Sequence, residues 1–229
     1  HDLYDRWINI RRPVISDNGA YSSYEAVPGQ GDGSLVLFRN KEGKQDTIFR
    51  GAKAAFASGT SLFACKVLPP FQQMRKAKKD KVKEENMPKD SLLIMNLENR
   101  KTIKYGRVKD FQFPKENAQF IAIHFEKDTA KEKKAEPDIS RSDTTKADSL
   151  KPVKPKAEKK KPKKKKEGSA FMLLFPDSGD SLYFKEVTSF ALSKNGFSAG
   201  VVIQYGDSID SVKVVLIDTR KKTSRTVYE

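Results

Sequence analysis

A chain of 229 residues, 37% of them apolar, can bury one substantial core but not several. Charged residues make up 33% and the formal net charge is +15, a balance that raises the question of polyanion binding. The basicity is local: 16 basic and 8 acidic residues lie between Lys127 and Glu167, 6 and 3 between Arg75 and Glu85, and the remainder carries only +4.

No stretch approaches the roughly 20 apolar residues of a membrane-spanning helix, and the opening His1-Asp2-Leu3-Tyr4 reads as a mature or trimmed start. Four related units then follow. The first runs from Val14-Ile15-Ser16-Asp17-Asn18-Gly19 through Ser34-Leu35-Val36-Leu37-Phe38 to Thr47-Ile48-Phe49. The second opens at Arg50-Gly51-Ala52, passes through Ser91-Leu92-Leu93-Ile94-Met95 and closes at Lys101-Thr102-Ile103. The third starts at Gly106-Arg107-Val108, resumes at Phe171-Met172-Leu173-Leu174-Phe175 and ends at Ser181-Leu182-Tyr183-Phe184. The fourth begins Lys185-Glu186-Val187 and continues through Val214-Val215-Leu216-Ile217 to Thr226-Val227-Tyr228.

Each unit alternates short apolar runs with polar turns such as Ser16-Asp17-Asn18-Gly19 and Ser193-Lys194-Asn195-Gly196. Gly and Asn supply the positive φ that tight hairpins require. The runs are short and rich in Val, Ile, Phe and Tyr, so they predict strands. Without its insertions a unit is about 40–45 residues, the length of a four-stranded propeller blade. The third strands, Leu35–Phe38, Leu92–Met95 and Val214–Ile217, do not alternate apolar with polar and predict strands covered on both faces. Stacked propeller blades require that of their inner strands, whereas a plain β-sandwich predicts no four-fold repeat. The expected fold is therefore an all-β partial β-propeller over residues 1–229, with units at about 8–49, 50–105, 106–184 and 185–229.

Two insertions interrupt the repeat. Residues 127–168, with Lys159-Lys160-Lys161-Pro162-Lys163-Lys164-Lys165-Lys166, carry too little apolar surface to offset the entropy of ordering and are predicted to be a disordered Lys-rich loop in the third unit. Aromatic residues for base stacking are absent from it, so no specific nucleic acid is expected. The second, near Arg75 to Met87, predicts a short charged helix. Its Glu84-Glu85 pair is a candidate for holding a peptide's amino terminus, while Lys81 and Lys83 beside it favour a solvated ion-pair face.

Catalytic machinery is not evident. No Gly-x-Ser-x-Gly elbow occurs, and Ser58-Gly59-Thr60-Ser61 lacks the first glycine. The histidines are His1, at the terminus, and His124, whose run Ile121-Ala122-Ile123-His124-Phe125 marks it as a structural strand residue. The lone Cys65, in Leu62-Phe63-Ala64-Cys65, reads as a buried structural thiol. Neither a phosphate loop nor metal-ligand spacing appears, so no cofactor or metal is expected.

Further residues carry a family resemblance: Tyr4-Asp5-Arg6-Trp7, Pro13-Val14-Ile15-Ser16-Asp17-Asn18-Gly19, Gly31-Asp32-Gly33-Ser34-Leu35, Phe49-Arg50-Gly51-Ala52, Met87-Pro88-Lys89-Asp90-Ser91-Leu92 and Arg107-Val108-Lys109. In order and spacing they resemble the N-terminal propeller of the prolyl oligopeptidase family of serine peptidases, especially its large secreted bacterial branch. The resemblance implies a seven- or eight-bladed ring, of which this chain supplies about four blades. It also implies a C-terminal α/β-hydrolase domain bearing Ser, Asp and His, a propeller that limits peptide access, and a periplasmic or secreted location. The chain departs from that pattern: it reaches Glu229 with no hydrolase sequence, so no catalytic residue carries over. The implied role is substrate gating and domain contact with peptide substrates. The alternatives are a stand-alone propeller interaction module or a basic-loop polyanion or nucleic-acid binder.

Overall fold

The computed structural model describes residues 7–127, 168–204 and 211–229. The predicted Lys-rich disordered loop, except for its end residues Lys127 and Gly168, and Tyr4-Asp5-Arg6 of the opening motif lie outside the described residues.

Strands β1 (Ile8–Ile15), β2 (Tyr21–Pro28), β3 (Ser34–Arg39) and β4 (Lys44–Phe49) form one antiparallel sheet in chain order. Strands β5 (Gly51–Phe56), β6 (Leu62–Val67), β7 (Ser91–Asn96) and β8 (Thr102–Tyr105) form a second. A third sheet of seven strands comprises β9 (Val108–Gln112), β10 (Ile121–Phe125), β11 (Ser169–Phe175), β12 (Asp180–Leu192), β13 (Ser198–Gln204), β14 (Val212–Asp218) and β15 (Thr223–Tyr228).

The repeat seen in the sequence is repeated in hydrogen bonds. In the turn after β1, Ser16 Oγ donates to Asn18 Oδ1 (2.8 Å) and accepts from the Tyr21 N–H (3.0 Å), with Gly19 at φ 65°. In the turn after β12, Ser193 Oγ donates to Asn195 Oδ1 (2.8 Å) and accepts from the Ser198 N–H (2.9 Å), with Gly196 at φ 73°. A second recurring device lies at each passage from one unit to the next. Arg50, Arg107 and Glu186 take φ values of 59°, 56° and 56°, the left-handed region that side chains usually avoid. Each precedes a buried residue: Gly51 and Val108 start β5 and β9, and Val187 opens the second half of β12. At Gly51 an added Cβ would stand 2.6 Å from the Leu35 Cβ, so glycine lets the first two sheets approach.

Three hydrophobic cores lie in series. Leu35 and Leu37 of β3 meet Phe63, Cys65 and Leu93 between the first and second sheets. The alternate residues of the same strands, Leu62 and Ala64 of β6 and Leu92 and Ile94 of β7, face the other way. They pack with Val108, Ile121, Ile123, Met172 and Leu174. Phe171, Leu173 and Phe175 of β11 turn to the third core with Val187, Ala199, Val201, Val215 and Ile217. Alternation along a strand sends successive side chains to opposite faces, so β6, β7, β10 and β11 are covered on both. The third core is closed by the two halves of the seven-stranded sheet, which therefore bends at β12.

Two expectations are corrected, and one passage between units takes an unexpected form. Between Phe184 and Lys185 the chain runs on as a single thirteen-residue strand, β12, with no turn; the left-handed Glu186 and register irregularities against both β11 and β13 mark the passage. Double coverage is incomplete for β14: Val215 and Ile217 are buried, but Val214 and Leu216 are only partly buried because no described sheet lies beyond them. The insertion's helix is α1 (Phe71–Lys79), starting four residues early, with only a 3-10 turn at Glu84–Asn86 beyond it. Its N-terminus follows Pro69-Pro70, and the Phe71 N–H donates to Asp32 Oδ1 at 2.7 Å. Lys76, Lys78 and Lys79 favour the negative end of the helix dipole.

Both ends of the stack are left apolar. On the first sheet Ile8, Ile10, Ile15 and Phe49 are each at least 60% exposed, and at the far end Val227 and Tyr228 are likewise.

Candidate functional site

The first strands of successive units, β1, β5 and β9, converge on a cleft of about 480 Å3 lined by Arg12, Lys53, Phe56, Asp110, Phe111 and Phe113, among others. Two left-handed residues shape its wall. Arg12 (φ 47°) lies in the register break of β1, and Lys53 (φ 50°) in that of β5. Such bulges re-aim side chains out of the ladder. Glu25, buried in β2, holds both: its Oε1 accepts from the Lys53 N–H at 2.7 Å and from the Arg12 guanidinium at 3.3 Å. The cleft thus offers three cations, Arg12, Lys53 and Lys115, the carboxylates of Asp17 and Asp110, and aromatic surface, a lining suited to a polar extended chain. Sequence reasoning overlooked Arg12, Glu25, Lys53 and Asp110. The one available signal was Glu25 standing inside the apolar run from Tyr24 to Val27.

Glu84 and Glu85 lie elsewhere, exposed, in a cleft of about 360 Å3 shared with Lys83, Lys89, Lys109 and Glu126. The expected ion pairs with Lys81 and Lys83 are absent among the described residues. Lys89 Nζ instead donates to the Glu84 carbonyl (2.8 Å) and lies 3.6 Å from Glu126.

His124 is buried, with Nε2 2.8 Å from Ser169 Oγ and 3.1 Å from the Val187 carbonyl oxygen. A serine beside a histidine invites comparison with a nucleophile and its base. The Val187 carbonyl can only accept, however, so in the tautomer that satisfies it Nε2 carries the proton and takes none from Ser169. Burial lowers the His124 pKa, partly opposed by that hydrogen bond. Edge-on contacts with Phe171 and Phe190 complete a staple from β10 to β12. Cys65 is fully buried, and desolvation pushes its pKa up to about 12, as an inert core thiol requires.

A buried cation joins units. Lys66 Nζ donates to Asp90 Oδ2 at 2.9 Å and to the Lys109 carbonyl at 2.6 Å, tying β6 to β9. No described group of three or more His, Cys, Asp or Glu could hold a metal ion, and no described helix is long and apolar enough to cross a membrane.

Against known proteins, no family model and no curated sequence matches this chain. Solved structures do. The chain is similar to the β-propeller domain of the trilobed protease from Pyrococcus furiosus, at 8% identity and a TM-score of 0.52, over 99% of this chain and 58% of that one. An acylaminoacyl peptidase from Pyrococcus horikoshii (8%, TM-score 0.49, 99% and 33%) and a prolyl endopeptidase (9%, 0.49, 99% and 30%) are also similar. At such identity the first likeness establishes fold, and the chain is a β-propeller fold. It spans little more than half of that propeller domain and about a third of each peptidase.

Proposed function

We propose that this chain is the propeller portion of a serine peptidase of the prolyl oligopeptidase family, contributing about four blades to a larger ring. The observation that carries this reading is a coincidence of two facts. The chain aligns over 99% of its length with 58% of a protease's propeller domain, and apolar faces stand open at both ends of its stack. Apolar faces of this kind are covered when further blades continue the stack. The sequence motifs from Trp7 to Lys109 support the same family. In this reading the chain screens peptides on their way to a hydrolase domain that supplies the catalytic Ser, Asp and His, and the cleft of Arg12, Lys53 and Asp110 contacts the passing peptide. A periplasmic or secreted location in a bacterium accompanies it.

A fluorophosphonate probe for serine hydrolases, applied to the source organism, tests the proposal. The polypeptide detected by antibodies to this chain is expected to be labelled and to exceed 25.8 kDa. An unlabelled natural product of that mass overturns it.

A further inference from the structure

The two charge-rich insertions leave the fold at equivalent places. One joins β6 to β7 and the other joins β10 to β11, the second and third strands of their respective units. Successive units repeat the same strand directions, so such connections emerge at the same end of the stack. Their bases meet there: Lys83 and Lys89 of the first insertion line one cleft with Lys127 and Ser169, which flank the second. Asp32, from the corresponding β2–β3 connection, reaches the same place by accepting the Phe71 N–H.

Helix α1 divides its faces sharply. Phe71, Met74 and Ala77 recur at a spacing of three and turn toward the fold, with Ala77 buried and the other two half-buried. The remaining surface is exposed and net cationic: Arg75, Lys76, Lys78 and Lys79, continued by Lys81 and Lys83, outnumber the exposed Asp80, Glu84 and Glu85. None of these six pairs with a described acid, whereas Lys66 and Lys89 both do. In the same connection two aliphatic side chains face solvent, Leu68 before the helix at 41% exposure and Val82 after it, between Lys81 and Lys83, at 37%. The exposed large aromatics, Trp7, Phe49, Tyr183, Phe197 and Tyr228, all lie outside this connection.

We propose that this end of the molecule docks on an anionic phospholipid surface through α1 and the Lys81–Lys83 turn. The surface potential attracts the unpaired cations, and the headgroup boundary accepts the exposed aliphatic side chains of the same connection. Nucleic acid could take up the cations through its phosphates. It would leave Leu68 and Val82 in water, and it would find no exposed ring on which a base could stack. Because the apolar stripe of α1 is already spent on the fold, the helix lies on the membrane and does not insert, so binding weakens as salt shortens the Debye length.

The test is co-sedimentation of the 229-residue chain with vesicles of phosphatidylcholine mixed with phosphatidylserine, and with pure phosphatidylcholine. Binding to a single-stranded oligonucleotide is measured in parallel. The mixed vesicles alone are expected to carry the protein down. The triple variant Arg75→Gln, Lys78→Gln, Lys79→Gln is expected to lower that partitioning at least about tenfold, with an unchanged melting temperature because all three side chains are exposed. Val82→Ser should lower vesicle binding about twofold and leave oligonucleotide binding as it was. Equal binding to both vesicle types overturns the proposal. So does undiminished binding by the triple variant, which would assign the attraction to residues 128–167 alone. Oligonucleotide binding without vesicle binding overturns it in favour of nucleic acid. None of these outcomes depends on the peptidase reading, which stands or falls on probe labelling.

Discussion

The middle and the ends of this stack are built from similar strands but experience different surroundings. Strand β11 is a run of Phe, Met and Leu, and strand β14 a run of Val, Leu and Ile. In β11 the five residues Phe171–Phe175 are all buried, whereas in β14 burial alternates. The difference is not in the strands. β11 has a partner layer on each face, and β14 has one on only a single face among the described residues. Apolar composition therefore does not by itself report cover, and the partly buried Val214 and Leu216 lie on the face that no described layer meets.

Mutation can break this comparison or sharpen it. The largest effect is expected at the doubly covered centre. Phe171→Ala removes a fully buried ring in contact with Phe184 and Phe190 and should cost about 4 kcal/mol by urea denaturation. Leu216→Ala should cost less than about 1 kcal/mol, and similar losses at the two sites would erase the distinction. Next comes the tie between inner units: Asp90→Ala strands the buried Lys66 ammonium and should cost about 3 kcal/mol. A loss below about 1 kcal/mol would show that the Lys109 carbonyl suffices.

A smaller, pH-dependent effect is expected at the bend. The His124 pKa is lowered by burial, so the unfolded state takes up its proton first as pH falls. Its contribution to stability is complete above about pH 6.5 and drains away as pH drops through the lowered folded-state value. The variant His124→Gln, which keeps a donor for the Val187 carbonyl, should flatten the slope of stability between about pH 7 and 5 relative to wild type. Parallel slopes would remove His124 from that role. The smallest effect belongs to the ends. Ile10→Ser with Phe49→Ser should change stability by less than about 0.5 kcal/mol, because both side chains are exposed. The same pair should reduce self-association in sedimentation velocity, and unchanged association would mean that these faces do not pair in solution.

Much of the fold was legible in the chain. Short runs of β-branched and aromatic residues, a unit length near that of a propeller blade, and the twin turns at Ser16–Gly19 and Ser193–Gly196 specify strands, hairpins and their repetition locally, within a few residues. The burial of Cys65 and the structural place of His124 were legible for the same reason, since each sits inside an apolar run. The candidate cleft was not. Arg12, Lys53 and Asp110 come from three units, and Glu25 joins the first two across a sheet interface, so no spacing along the chain encodes their meeting. The continuity of β12 and the one-sided cover of β14 were equally hidden, because hydrogen bonding across a unit boundary and the presence of a neighbouring layer belong to the assembled stack. Sequence alone determined which segments extend and where they turn, through backbone preference and apolar pattern. Tertiary structure decided which faces are covered and which charges converge, because both depend on contacts between residues far apart in the chain.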